Sequence, residues 1–146
     1  MAAFTTNRKA FFNYDIRDSL EAGIELLGWE VKSIRNGHAD LSGSYGIIRG
    51  GEAWLVNMDI PLYQPKNIVG EPDIARTRRI LLNKKEIAEL LRRIESERLS
   101  VVPLELYGRG SKIKVKLGLG LPRRKSDKRE AIKKRDISKE IGRRVK

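Results

Sequence analysis

At 146 residues, with 40% apolar residues and no cysteine, the chain is sized for one cored domain and has neither disulfides nor thiolate metal sites at its disposal. Its net charge of +12 is polarised: residues 1–106 carry 15 basic and 15 acidic side chains, whereas residues 107–146 carry 16 and 4. Such an imbalance marks a polyanion-binding arm on a neutral body, with nucleic acid favoured over an anionic membrane.

The opening segment, Met1-Ala-Ala-Phe-Thr-Thr-Asn-Arg-Lys9, lacks the apolar core of a signal peptide. Nothing approaches the roughly 20 apolar residues of a membrane-spanning helix, so a cytosolic protein is expected. Asp15, Asp18, Glu21 and Glu25 run across an expected turn into a strand. Clustered carboxylates can hold the magnesium ions of a nuclease, but no second acidic cluster supports these four, and they read as surface carboxylates. The single histidine, His38, lies in the turn-like Asn36-Gly-His-Ala-Asp40, and one histidine without cysteine makes neither a metal motif nor a triad.

Tyr45-Gly-Ile-Ile-Arg and Glu52-Ala-Trp-Leu-Val flank Gly50-Gly51, a strong two-residue hairpin signal. The polar, proline- and glycine-containing stretch from Gln64 to Pro72 reads as a surface loop. Residues 84–98 place Ile87, Leu90, Leu91 and Ile94 on one helical face, with Asn83 as N-cap and Glu86 as its capping-box partner. Val102, Leu104 and Leu106 then alternate with other residues up to Tyr107. After the turn Gly108-Arg-Gly-Ser111, the apolar residues Ile113, Val115, Leu117 and Leu119 alternate again. Gly118-Leu-Gly120 lacks the further glycines and following helix of a phosphate loop. Short strands, glycine turns and one inserted helix predict a mainly β fold, a small antiparallel OB-like barrel.

From Pro122 the composition changes to Arg123, Arg124, Lys125, Ser126 and onward, too charged and too poor in apolar groups to offset ordering entropy. The expected division is therefore a barrel over residues 1–122 and a basic tail over 123–146, disordered alone. Ile137, Ile141 and Val145 form a thin stripe that would become helical on a partner, although Gly142 weakens it.

Two basic clusters stand out in the body. Lys112, Lys114 and Lys116 alternate with apolar residues, so all three share one strand face at a spacing of about 6.6 Å, close to a phosphate step. Arg76, Arg78 and Arg79 precede Ile80-Leu-Leu82. Both clusters are candidate RNA contacts, and nothing in the sequence points to catalysis or to a cofactor.

The run Glu21-Ala-Gly-Ile-Glu-Leu-Leu-Gly-Trp-Glu-Val-Lys-Ser-Ile-Arg35 closely resembles the signature of the SmpB, or SsrA-binding, protein family. Ordered matches follow it or precede it: Asn7-Arg-Lys-Ala with Tyr14-Asp-Ile, Ser44-Tyr45, Arg76-Thr-Arg-Arg-Ile-Leu-Leu-Asn83, Leu104-Glu-Leu-Tyr107, Lys114-Val-Lys116 and Asp127-Lys-Arg129. The resemblance implies an OB-like barrel with a few short-to-medium helices that binds the tRNA-like domain of transfer-messenger RNA. Protein and RNA together would mimic a tRNA, the protein replacing the anticodon arm. Elongation factor Tu would act indirectly, through the RNA, in delivering the complex to stalled ribosomes. There the tail would lie in the decoding region and messenger channel of the small subunit.

Carried over by match, Glu21, Leu81 and Asn83 would hold the tRNA-like domain. Asp127, Lys128 and Arg129 would open a ribosome-contacting tail that also includes Arg123, Arg124, Lys125, Lys133, Lys134 and Arg135. The chemistry is apt: a carboxylate accepts from base amino or ribose hydroxyl groups, an exposed leucine packs on an unstacked base, and an amide pairs with a base edge. Lys32 and Arg35 suit a short helix as well as they suit RNA contact. The chain departs from the family where a basic-Gly-basic cluster is usual, since Leu121 and Pro122 stand there before Arg123-Arg-Lys125 and Ser126. Composition alone also permits a general single-strand RNA binder or a ribosomal protein.

Overall fold

The computed structural model describes residues 3–62 and 72–124. Its elements, in chain order, are β1 (Ala3–Thr6), α1 (Arg8–Asn13), β2 (Tyr14–Ile24), α2 (Gly28–Arg35), β3 (Tyr45–Arg49), β4 (Glu52–Val56), β5 (Arg78–Leu81), α3 (Lys84–Glu97), β6 (Ser100–Arg109) and β7 (Lys112–Pro122). The strands pair in the order β1-β6-β3-β4-β5-β2-β7, and a further β6–β7 pairing closes the ring. All pairings are antiparallel. Six strands thus form the barrel, and β1 lies along part of the outer edge of β6. The expected small antiparallel barrel is present.

Alternation makes the core. Ala22 and Ile24 of β2, Ala53 and Leu55 of β4, Ile80 of β5, Leu106 of β6 and Val115 and Leu117 of β7 point inward and are buried. Ile34 from α2 and Leu90 from α3 close the same cluster. The β3–β4 hairpin turns on Gly50 and Gly51 with φ of +61° and +76°, the doubly positive pair that a two-residue hairpin turn matching the strand twist requires. The β6–β7 hairpin is tighter than the four-residue turn the sequence suggested. Gly108 still pairs with Ile113, and only Gly110 and Ser111 lie outside the ladder.

Asn83 caps α3 as expected: its Oδ1 accepts from the Glu86 N–H at 2.8 Å, and Glu86 accepts from the Asn83 N–H at 3.0 Å. The helix ends at Arg98, which adopts a left-handed conformation. Its buried stripe is narrower than predicted, because Leu91 is 39% exposed while Ile87 and Leu90 are buried.

One expectation changes. The turn expected along the run from Asp15 to Glu25 is absent: Tyr14–Ile24 is one continuous strand with a bulge between Ile16 and Asp18, paired with β7 from Tyr14 to Gly23. The backbone comes so close there that a Cβ on Gly120 would lie 2.7 Å from the Asp15 carbonyl oxygen. Gly120 is therefore a close-approach position in a strand pair. The stretch from Gln64 lies outside the described residues up to Glu71, with Pro72 the first described after it. Among the described residues, no helix is long and apolar enough to cross a membrane.

Candidate nucleic-acid interface

Side chains of β2, β5, β6 and β7 that do not enter the core form one outer face, and the register fixes its rows. Glu21 pairs with Lys116 and Lys116 with Glu105, while in the next row Gly23 pairs with Lys114 and Lys114 with Tyr107. Arg109 pairs with Lys112 at the hairpin end. On the other side Gly23 pairs with Leu81 of β5, and a Cβ on Gly23 would come within 3.2 Å of the Leu81 Cβ. Leu81 accordingly lies against bare backbone and stays 46% exposed. Arg79 shares its face, held at 2.9 Å by Glu52.

The barrel thus brings together Glu21, Arg79, Leu81, Lys112, Lys114 and Lys116 from separate parts of the sequence. Asn83 lies two residues beyond β5 and is exposed, and its amide oxygen accepts the α3 cap bond. Its amide nitrogen and the second lone pair of that oxygen remain for a partner. The Arg79–Glu52 pair is exposed on both sides, so it contributes little stability and can be exchanged for a phosphate contact.

Arg78 is not part of this face, a correction to the grouping of the three arginines. In a strand with period two, Arg78 and Ile80 point inward while Arg79 and Leu81 point out, and the Arg78 side chain has no exposed surface. It donates through Nε to Glu30 at 2.8 Å, and its terminal nitrogens bond the carbonyls of Met58 and Ile74. Arg76 is half-withdrawn as well, donating through Nε to Glu30 at 3.0 Å with 27% of its side chain exposed. Glu30, fully buried, also accepts from the Leu27 N–H at 2.7 Å at the start of α2. Burial by itself would raise the Glu30 carboxyl, but donors from Arg76, Leu27 and Arg78 hold it below the ordinary glutamate value. These two arginines anchor the fold.

Glu21 has partners that the sequence did not suggest. Tyr107 donates its hydroxyl to Glu21 Oε2, and Arg109 donates one terminal nitrogen to both carboxylate oxygens at 2.8 and 3.0 Å. The phenol chiefly, and the guanidinium next, hold the Glu21 carboxyl below its usual range. Partial burial and then the bond to Glu21 push the Tyr107 hydroxyl up to about 12. The signal was present in the alternation: Tyr107 and Arg109 lie two residues apart on the strand that pairs with the lysine strand.

The other carboxylates of the early acidic run are dispersed. Asp15 pairs with Arg17 at 3.0 Å and Asp18 with Arg93 at 2.6 Å. Among the described residues no group of three or more His, Cys, Asp or Glu side chains could hold a metal ion. Arg35 is used within the fold, stacked 5.8 Å over the Phe4 ring and bonded to the Ser111 carbonyl at 3.0 Å. Arg123 is tied to the barrel: its N–H donates to the Asn13 carbonyl at 2.8 Å and its side chain to the Tyr14 carbonyl at 3.2 Å. Arg124 is the last described residue, so Lys125, Asp127, Lys128, Arg129, Lys133, Lys134 and Arg135 lie outside the described residues.

A closed OB-like barrel with a lysine-rich outer face defines a class, the small barrel proteins whose sheet surface suits polyanions. Within that class the chain belongs to the SmpB family, whose model, described as SmpB protein, matches residues 4–146. It is similar to the SsrA-binding protein of Mesoplasma florum, with 48% identity covering 96% of this chain and 94% of the relative. It is also similar to the SsrA-binding protein of Elusimicrobium minutum, with 49% identity covering 93% and 86%. A solved structure described as "tmRNA-SmpB: a journey to the center of the bacterial ribosome" superposes with a TM-score of 0.69 at 39% identity, covering 88% of this chain and 93% of that one.

Proposed function

We propose that this protein is a cytoplasmic, non-enzymatic RNA-binding protein of trans-translation. It binds transfer-messenger RNA, seats the tRNA-like domain on the outer face of β5, β2, β7 and β6, and brings it to stalled ribosomes. The observation that carries the reading is the convergence on one face of an ionised carboxylate, an exposed leucine and three lysines. Lysines supply sequence-independent attraction to phosphate, while Glu21 and Leu81 offer contacts only to sugars and bases. The names of the relatives support the same partner. In this reading the part of the tail beyond Arg124 forms the arm that enters the small-subunit messenger channel, and elongation factor Tu meets the complex through the RNA.

Binding is measured with the tRNA-like domain and with an unstructured RNA of equal length. Replacing Glu21 with Ala is expected to weaken binding to the tRNA-like domain roughly 5- to 30-fold and to leave the unstructured RNA unaffected. Equal affinity of the wild type for the two RNAs would instead favour a general single-strand binder.

A further inference from the structure

We infer that Tyr107 and Arg109 are positioning residues for RNA recognition, fixing the Glu21 carboxylate on the outer face as an acceptor for a base amino or ribose hydroxyl donor. The inference rests on the reading of this face as the RNA-binding surface. The strand register shows how the lock is built. Tyr107 starts in the row of Lys114 and Gly23, yet its hydroxyl bonds Glu21 in the neighbouring row. Its side chain therefore crosses β7 diagonally, between the Lys114 and Lys116 positions. Gly23 puts no side chain into the first row between Lys114 and Leu81.

Three consequences follow from this geometry. Glutamate is a flexible side chain, and holding it from two sides removes rotamer freedom before RNA arrives, so less is lost on binding. An ionised carboxylate has about four acceptor sites and no donor. Tyr107 and Arg109 occupy part of that capacity, and 34% of the Glu21 side chain remains exposed for a partner. Finally, a lone anion on a face meant for phosphate would repel its ligand, and Arg109 compensates that charge locally. A fixed, charge-compensated acceptor discriminates against phosphate oxygens, which are themselves acceptors, and selects a donor.

The charged and titratable groups facing Glu21 are Tyr107, Arg109 and Glu105 on β6 and Lys114 and Lys116 on β7, while β5 contributes the neutral Leu81. Because the phenol lowers the Glu21 carboxyl, binding that uses ionised Glu21 persists as pH falls until that lowered value is crossed. Removing the phenol hydroxyl moves the loss to higher pH.

The test is a double-mutant cycle on the full chain, with Tyr107→Phe, Glu21→Ala and the pair. Affinity is read for the tRNA-like RNA and for an oligouridine of equal length. Tyr107→Phe is expected to weaken tRNA-like binding about three- to tenfold, to leave oligouridine unchanged, and to add nothing in the Glu21→Ala background. Its affinity should also fall away at higher pH than that of the wild type. Undiminished loss in the Glu21→Ala background, equal loss on oligouridine, or no loss at all overturns the inference. Arg109, 63% exposed, can be changed without touching the core. Should Tyr107→Phe melt early, Arg109→Gln carries the test, because its tRNA-specific loss must also vanish without Glu21. Wild-type affinity of Glu21→Ala itself would defeat the RNA-face reading, a result distinguishable from failure of the positioning pair alone.

Discussion

Changing Glu30 to Gln removes the charge that two arginines share inside the barrel. Arg78 has no exposed surface, so after the change its guanidinium keeps only the neutral carbonyls of Met58 and Ile74 and the new amide. Breaking one side of such a buried pair costs about 3–5 kcal/mol, because the remaining charge is left uncompensated in a poorly solvated place. At an unfolding entropy of about 2.1 cal/mol/K per residue, each kcal/mol is worth about 4 °C in a domain of this size. The melting temperature of Glu30→Gln at pH 7 should therefore fall by about 12–20 °C. Changing the partly exposed Arg76 to Ala should cost clearly less.

The pH dependence supplies a second reading of the same pair. The folded-state value of Glu30 is depressed, so at pH values between it and the unfolded value of about 4.3 the unfolded chain binds more protons. The stabilisation is complete above that range and is lost as pH falls through the folded value. Wild-type melting temperature should drop over this interval, and the Gln variant should show a shallower decline. Melting followed by circular dichroism from pH 7 to pH 3 measures both effects. A Gln variant that melts within about 3 °C of wild type at pH 7 would refute the claim that the Arg78 charge depends on Glu30.

Other expectations are simpler. RNA affinity should fall with salt on a log–log slope of roughly −2.8 to −3.6, about four phosphates neutralised by Lys112, Lys114, Lys116 and Arg79, because Arg78 is buried and Arg76 engaged. A titration with a slope near zero would exclude a phosphate-contacting face. Asn83→Ala should lower stability by about 1 kcal/mol through loss of the α3 cap, a change visible in urea denaturation. Ending the chain after Arg124 lowers its net charge from +12 to +6. It should leave melting and tRNA-like binding largely intact while abolishing peptide tagging in a purified translation system. Normal tagging by the shortened chain would remove the proposed role of the arm.

Much of this protein is local enough to be written in its sequence. The Gly50-Gly51 hairpin, the Asn83–Glu86 cap and the alternation of β7 depend on neighbours a few residues apart, so they are legible from residue type. The alternation expected in β6 is broken, because the register shifts between Pro103 and Glu105 and Val102 and Leu104 pack with Ala10, apart from Leu106 in the main core. The resemblance of Glu21–Arg35 to a known family likewise needs no structure. What the sequence left open is which way a side chain faces when both readings are locally acceptable. Arg76, Arg78 and Arg79 look alike in a row, and only the pairing of β5 with β4 and β2 sends Arg78 inward to a glutamate 48 residues away. The segment after Tyr14 reads as a polar turn, yet β7 provides a full ladder of partners and makes it a strand. Tyr107 and Arg109 meet Glu21 across 86 and 88 residues of chain, through a register that closure of the barrel sets. Local propensity and capping act over a few residues, whereas burial and long-range charge pairing exist only once the strands have closed, and those decided which of the basic residues hold the fold and which face solvent.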